Sequence, residues 1–247
     1  MILDIHTHSF QGYEEDLIAS AAKFGVERYV NLGDVLRHGD QPNEEQIRSI
    51  NDDTLAFVRR TAPHSCGFCF LNPNLPVDFT LAEIDRCLTL PEFRGIKLEV
   101  STPCSDNARM APLMDALLKY DMPLMQHTWY KTTSKHAQES DPMDVALLAH
   151  RWPKNTIIMA HLSGCGHRGV EDIADCPNVI VDTSGAQPEA GLVEYAVRRI
   201  GAHRLVYGSD APGRSFAPQI AKVQEAAISD ADRERILYKN AQELLKW

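Results

Sequence analysis

Short apolar or β-branched runs alternate with longer amphipathic stretches along the whole chain. Eight such runs are bounded by turn residues. They are "MILDIHTH", "VERYVNLGD" from Val26, "SCGFCFLNP" from Ser65, "FRGIKLEV" from Phe93, "MPLMQHT" from Met122, "TIIMAHLSG" from Thr156, "NVIVDTSG" from Asn178 and "RLVYGSD" from Arg204. Most are apolar throughout, which predicts strands covered on both faces. The stretches between them predict helices. "EEDLIASAAKFG" opens with acidic residues and closes on Gly25, and "DPMDVALLAHRW" offers Asp141 as N-cap with Pro142 in the first helical position. The fourth predicted helix starts at Ala111 ("APLMDALLKYD") and the sixth at Gly169 ("GVEDIADC"); a last one, "DADRERILYKNAQELLKW", closes the chain. Eight strand–helix units predict one α/β domain over residues 1–247, a (β/α)8 TIM barrel. An open doubly wound sheet is the alternative, but no Gly-x-Gly-x-x-Gly follows the first strand.

Composition narrows the function. Of 247 residues, 44% are apolar and 24% charged, enough for a large core in a soluble globular protein. The net charge of −9, with Lys and Arg scattered, argues against nucleic-acid binding. No apolar run reaches the roughly 18 residues of a membrane span, and "MILDIHTHSF" lacks the features of a signal peptide. A cytoplasmic protein with six reduced cysteines is therefore expected. "CGFC" (Cys66 to Cys69) falls within a predicted strand, where positions three apart face opposite sides, so these read as two buried thiols and not as a redox or zinc pair.

In such barrels the chemistry gathers at the carboxyl ends of the strands. Those ends carry His6 and His8 on strand one, Lys97 and Glu99 on strand four, His127 on five, His161 on six and Asp210 on eight. Strands two, three and seven end in Asn31 with Asp34, Asn72, and Asp182 with Ser184. Alternation on a strand puts His6 and His8 on one face, with Asp4 deeper on the same face as a supporting group. Four imidazoles and one carboxylate on one rim are first-row metal ligands. They suit Zn most, and Mn, Fe or Co as well. Such a set leaves a position open for water, whose pKa the metal would lower.

"HTH", "QHT", "AHLSG" and "YGSDAP", with "GIKLEV" and the closing "ILYKNAQELL", resemble the amidohydrolase superfamily over essentially the whole chain, and most of all its amidohydrolase-related branch of metal-dependent TIM-barrel hydrolases. The resemblance implies that His6, His8, His127 and Asp210 bind the metal. It implies that His161 is a further ligand or a catalytic residue beside the bound water, and that Asp210 is also a proton shuttle. Lys97 or Glu99 would bridge a second metal in two-metal members; with one metal, Lys97 would hold an anionic group of the substrate.

The rim loops predict the substrate class. Trp129 and Tyr130 follow His127 and offer an apolar wall. Lys131, Lys135, His136, His167, Arg168 and Arg214 add positive charge near the mouth, with Arg168 and Arg214 as candidate carboxylate clamps. A small, anionic substrate is expected, and a homo-oligomer is compatible with the chain. The leading expectation is hydrolysis of a carboxylate-bearing amide, ester or lactone. The alternative implied by the same family is non-oxidative decarboxylation of an aromatic or unsaturated acid; the short stretch between His8 and the first helix leans toward hydrolysis. A barrel reduced to a scaffold would show gaps in the ligand set, and none is present. A serine hydrolase would need a Gly-x-Ser-x-Gly elbow, which is absent.

Overall fold

Strand β1 (Ile2–Thr7) pairs in parallel with β2 (Val26–Asn31), and the order then follows the sequence through β3 (Ser65–Leu71), β4 (Phe93–Leu98), β5 (Leu124–Gln126), β6 (Ile157–Met159), β7 (Val179–Asp182) and β8 (Leu205–Val206). This computed structural model describes the whole chain except Thr132, Ser134, Lys135, Gln187 and Pro188. The ring closes where the chain beyond β8 returns to β1. Ile5 N donates to Tyr207 O (2.9 Å), Asp210 N to His6 O (2.8 Å) and His8 N to Ala211 O (2.7 Å). The sheet is a nearly closed parallel barrel, as the strand–helix alternation predicts.

Eight helices follow the strands in turn: α1 (Glu14–Lys23), α2 (Glu44–Thr61), α3 (Val77–Leu88), α4 (Asn107–Tyr120), α5 (Pro142–Arg151), α6 (Leu162–Asp172), α7 (Leu192–Ile200) and α8 (Phe216–Gln224). Parallel strands demand such crossovers, and the helices bury the outer face of the sheet. Strand β6 shows the division. Ile157 and Met159 join the large apolar layer, while Ile158 joins Phe68, Met125 and Val206 in a smaller cluster on the opposite face. Cys66 and Cys69 divide in the same way, so the two thiols diverge as expected.

Two helix starts differ from the sequence reading. Helix α4 begins at Asn107, before Ala111, because the Asp106 carboxylate caps it by accepting from Ala108 N and Arg109 N. Helix α6 begins at Leu162, so the predicted sixth strand stops at Met159. His161 adopts a left-handed backbone (φ 72°) that turns the chain straight from strand into helix.

The C-terminal segment, α9 (Asp230–Glu234), a π-helical turn (Arg235–Lys239) and α10 (Asn240–Leu245), packs against β1 and β8. Asn240 Nδ2 donates to Ala202 O (2.7 Å) and Leu205 O (2.6 Å), and Tyr207 N donates to Ile236 O (2.8 Å). These bonds satisfy backbone groups that the two-residue β8 ladder leaves free.

Candidate active site

At the carboxyl ends of the strands lies a cavity of about 300 Å³ with His6, His8, His127, His161, Glu99 and Asp210 in its lining. Strand alternation delivers His6 and His8 side by side, with Nε2 atoms 3.2 Å apart. Asp210 Oδ1 lies 3.6 Å from His6 Nε2 and 3.5 Å from His8 Nε2.

The partners of the other ring nitrogens decide the tautomers. His8 Nδ1 lies 2.9 Å from Gly33 O, which can only accept, so it carries a proton there. Asn31 holds that carbonyl in place, its Oδ1 accepting from Gly33 N and Ser9 N. Gly33 has φ +76°, and a Cβ there would meet Thr54 Oγ1 at 2.5 Å, so the turn requires glycine. His6 Nδ1 lies 2.7 Å from Asp182 Oδ2. Burial would raise the Asp182 carboxyl, but the His6 imidazole and its hydrogen bond hold it far below the usual carboxylate range. Asp182 is thus an acceptor, and His6 is protonated on Nδ1. Burial pushes the His6 imidazole down, toward its neutral form. In that form His6 turns its Nε2 lone pair toward the Asp210 carboxylate, with His8 Nε2 beside it. Three converging acceptors fit a cation.

A second pair repeats the arrangement. Ser184 Oγ donates to Asp182 Oδ1 and lies 2.8 Å from His161 Nδ1, which therefore donates to it. His127 Nε2 lies 2.9 Å from Glu139 Oε1. Burial would raise the Glu139 carboxyl, but its bonds to His127 and Lys131 bring it down to about 2, so it too accepts. The remaining nitrogens, His161 Nε2 and His127 Nδ1, face each other at 3.2 Å, with Glu99 Oε2 3.4 Å from the latter. Burial drives His161 well below the usual imidazole range. The two pairs are joined by the rings of His6 and His161, whose centroids are 4.9 Å apart.

Both turning points at this rim are conformationally special. Among the described residues, four other than glycine have positive φ. Asp121 and Lys246 end helices; His161 and Asp210 (φ 65°) are in the site. Such residues persist only where the surroundings fix them. Asp210 N is bonded to His6 O, while Asp4 Oδ1 accepts from His6 N (2.8 Å) and Ser209 N (3.1 Å), tying the two strand ends together.

The other sequence candidates divide. Lys97 is wholly buried and lies 2.9 Å from Glu99 Oε1, and its charge outweighs burial to hold Glu99 down to about 2. Glu99 lines the cavity, and so do Trp129, Lys131 and Arg214. Arg214 Nε is 3.9 Å from Asp210 Oδ2. Tyr130 and Arg168 are not among its lining residues: they stack on each other, the guanidinium carbon 4.3 Å from the ring centroid. His136 pairs with Asp40 (2.7 Å), and His167 packs on Tyr195. Lys135 lies outside the described residues. Sequence reasoning missed Glu139, twelve residues past His127 in a loop with no periodic pattern. It noted Asp182 and Ser184 at their strand end without a role.

Solved structures share the fold. The 5-carboxyvanillate decarboxylase LigW from Sphingomonas paucimobilis aligns over 99% of this chain and 98% of its own, with a TM-score of 0.78 and 14% identity. A dihydroxybenzoic acid decarboxylase from Polaromonas sp. JS666, solved with manganese and the inhibitor 2-nitroresorcinol, aligns over 99% and 96% (TM-score 0.72, 17% identity). A proposed 2-pyrone-4,6-dicarboxylic acid hydrolase from Pseudomonas putida aligns over 99% and 97% (TM-score 0.72, 18% identity). No curated protein matches the chain significantly in sequence. The family model described as amidohydrolase (Amidohydro_2) matches residues 4–247, and the chain belongs to that family.

Proposed function

We propose that the chain is a metal-dependent, non-oxidative decarboxylase of a small aromatic or unsaturated acid. One observation carries the reading: a cavity of about 300 Å³ with converging acceptors at its floor and a wall that combines Trp129, Val35 and Leu36 with the cations Lys131 and Arg214. That volume suits a single-ring ligand, and the lining suits a flat apolar body with an anionic group.

His6, His8 and Asp210 would hold the metal, with His127 and His161 supplying a further donor. The donor set is imidazole and carboxylate without thiolate, which suits manganese as well as the zinc first expected. The bound cation would supply positive charge that fixes the substrate anion beside the reacting carbon. The chain's own residues do the rest. Trp129 would pack on the ring, Arg214 and Lys131 would orient a carboxylate, and the apolar wall would limit water. In the reaction the bond between ring carbon and carboxylate breaks, CO₂ leaves, and the carbon takes up one proton. Asp210, partly exposed at the cavity floor, is the group suited to relay it: its carboxylate would first take a proton from water or a substrate hydroxyl and then pass it to the carbon. The alignments to the Sphingomonas paucimobilis and Polaromonas decarboxylases span 98% and 96% of their chains, which supports this reading over the hydrolysis first expected.

Hydrolysis of a carboxylate-bearing lactone is the second reading, favoured by the likeness to the Pseudomonas putida protein. Incubating Mn²⁺-loaded protein with hydroxybenzoates and a pyrone carboxylate separates the two. Metal-dependent CO₂ release supports decarboxylation; ring opening without CO₂ overturns it in favour of hydrolysis.

A further inference from the structure

His150, Asp175 and Cys176 converge on the outside of the barrel, far from the cavity in the fold. His150 lies in the last turn of α5, and the other two precede β7, so the cluster sits at the end of the barrel opposite the mouth. His150 Nε2 is 3.6 Å from Cys176 Sγ and 3.6 Å from Asp175 Oδ2, and Cys176 Sγ is 3.6 Å from Asp175 Oδ1.

We infer that these three side chains form a second divalent-cation site, of the thiolate–imidazole–carboxylate type that selects zinc. Around a tetrahedral zinc, with Zn–S about 2.3 Å and Zn–N or Zn–O about 2.0–2.2 Å, ligand atoms lie about 3.4–3.6 Å apart. All three observed separations meet that edge length. Asp175 meets His150 through Oδ2 and Cys176 through Oδ1, and one ligand atom from each of the three residues lies within 4.8 Å of the other two. The imidazole and carboxylate are solvent-exposed and the cysteine is buried beneath them, so an ion can enter from outside with a thiolate at its base.

The segments are held in place without an ion. Asn178 Nδ2 donates to Ala149 O (3.3 Å), Trp152 O (3.2 Å) and Asn155 O (3.1 Å), fastening the start of β7 to the end of α5. Arg204 donates to Ile173 O (2.8 Å) and Ala174 O (3.1 Å), just before Asp175. Both flanks of the Asp175–Cys176 pair are therefore anchored, which lowers the ordering cost of binding. The donor set differs in kind from the barrel mouth, which has no sulfur among its converging groups.

Co²⁺ added to the purified full chain tests this, because a thiolate-to-cobalt charge-transfer band reports sulfur ligation alone. The expected result is a band that saturates at one sulfur-bound cobalt per chain and is displaced by Zn²⁺. It should vanish in Cys176→Ser, and His150→Ala should weaken cobalt binding about tenfold or more. If Cys176→Ser fails to fold, His150→Ala decides. No band in the wild type, a band that persists in Cys176→Ser, or unchanged affinity in His150→Ala overturns the site.

Discussion

The imidazole of His6 and the carboxylate of Asp182 meet at 2.7 Å with both side chains closed off from solvent. The second oxygen of Asp182 receives the hydroxyl and the amide of Ser184, and Ser184 in turn faces His161. One carboxylate on β7 thereby sets the tautomers of two imidazoles elsewhere on the rim, His6 on β1 and His161 in the turn after β6. Replacing it as Asp182→Asn is expected to lower divalent-metal affinity at the barrel mouth by about 10- to 100-fold while the barrel still folds. A competition titration against a chromogenic chelator measures this. Wild-type affinity in the variant would show that His6 and His161 need no such support.

Glu139 does the same for His127 from the loop after β5. Its removal in Glu139→Ala leaves the ring nitrogen and Lys131 without their shared acceptor, and turnover should fall about tenfold or more. Glu139→Gln keeps an acceptor oxygen and should restore part of the loss. Equal rates in both variants and the wild type would exclude a positioning role.

Arg214 lines the cavity four residues past Asp210. For a carboxylate substrate, Arg214→Ala should raise KM about tenfold and leave kcat within about twofold, the pattern of lost uniform binding. Steady-state kinetics with and without a carboxylate on the substrate checks it. An unchanged KM for the carboxylate compound removes Arg214 from recognition.

Acid stability has a separate source between α2 and α3. Glu83 is buried and accepts from Asn51 Nδ2 (2.8 Å) and from Arg86 through Nη2 (2.6 Å) and Nε (2.8 Å). Burial alone would raise its carboxyl; the bonds from Arg86 and Asn51 outweigh that and hold it below the ordinary 4.5. A carboxyl depressed on folding stabilises the native state above its unfolded value, and that contribution fades as pH falls through the folded value. Glu83→Gln should therefore lower Tm near neutral pH, and the gap from wild type should narrow as the pH falls below 4.5. A gap that stays constant or widens would contradict this.

The eight strands were legible because parallel strands buried on both faces leave nearly unbroken apolar runs. The rim residues were legible for a related reason: a barrel has one chemical end, and His6, His8, His127, His161 and Asp210 all stand at it. The start of α6 was not legible. It depends on the left-handed turn at His161, whose amide donates to Asp182 Oδ1 (3.3 Å), a long-range contact that no local propensity encodes. Glu139 was hidden because a loop carries no period from which to infer a facing side. Tyr130 and Arg168 read as substrate contacts from their nearness to His127 and to the helix predicted from Gly169; in the structure Arg168 lies within α6 and stacks on Tyr130.

Mn²⁺ stoichiometry and affinity, measured on the wild type, His8→Ala and Asp210→Asn at matched far-ultraviolet circular dichroism, test the barrel-mouth centre most directly. Manganese favours the imidazole and carboxylate donors of the mouth over a thiolate site, which keeps the count specific. The expected result is about one Mn²⁺ per wild-type chain, with affinity reduced about 100-fold or more in each variant. A wild-type chain that takes up no Mn²⁺, or variants that bind it as tightly as the wild type, would contradict a metal centre built on His6, His8 and Asp210.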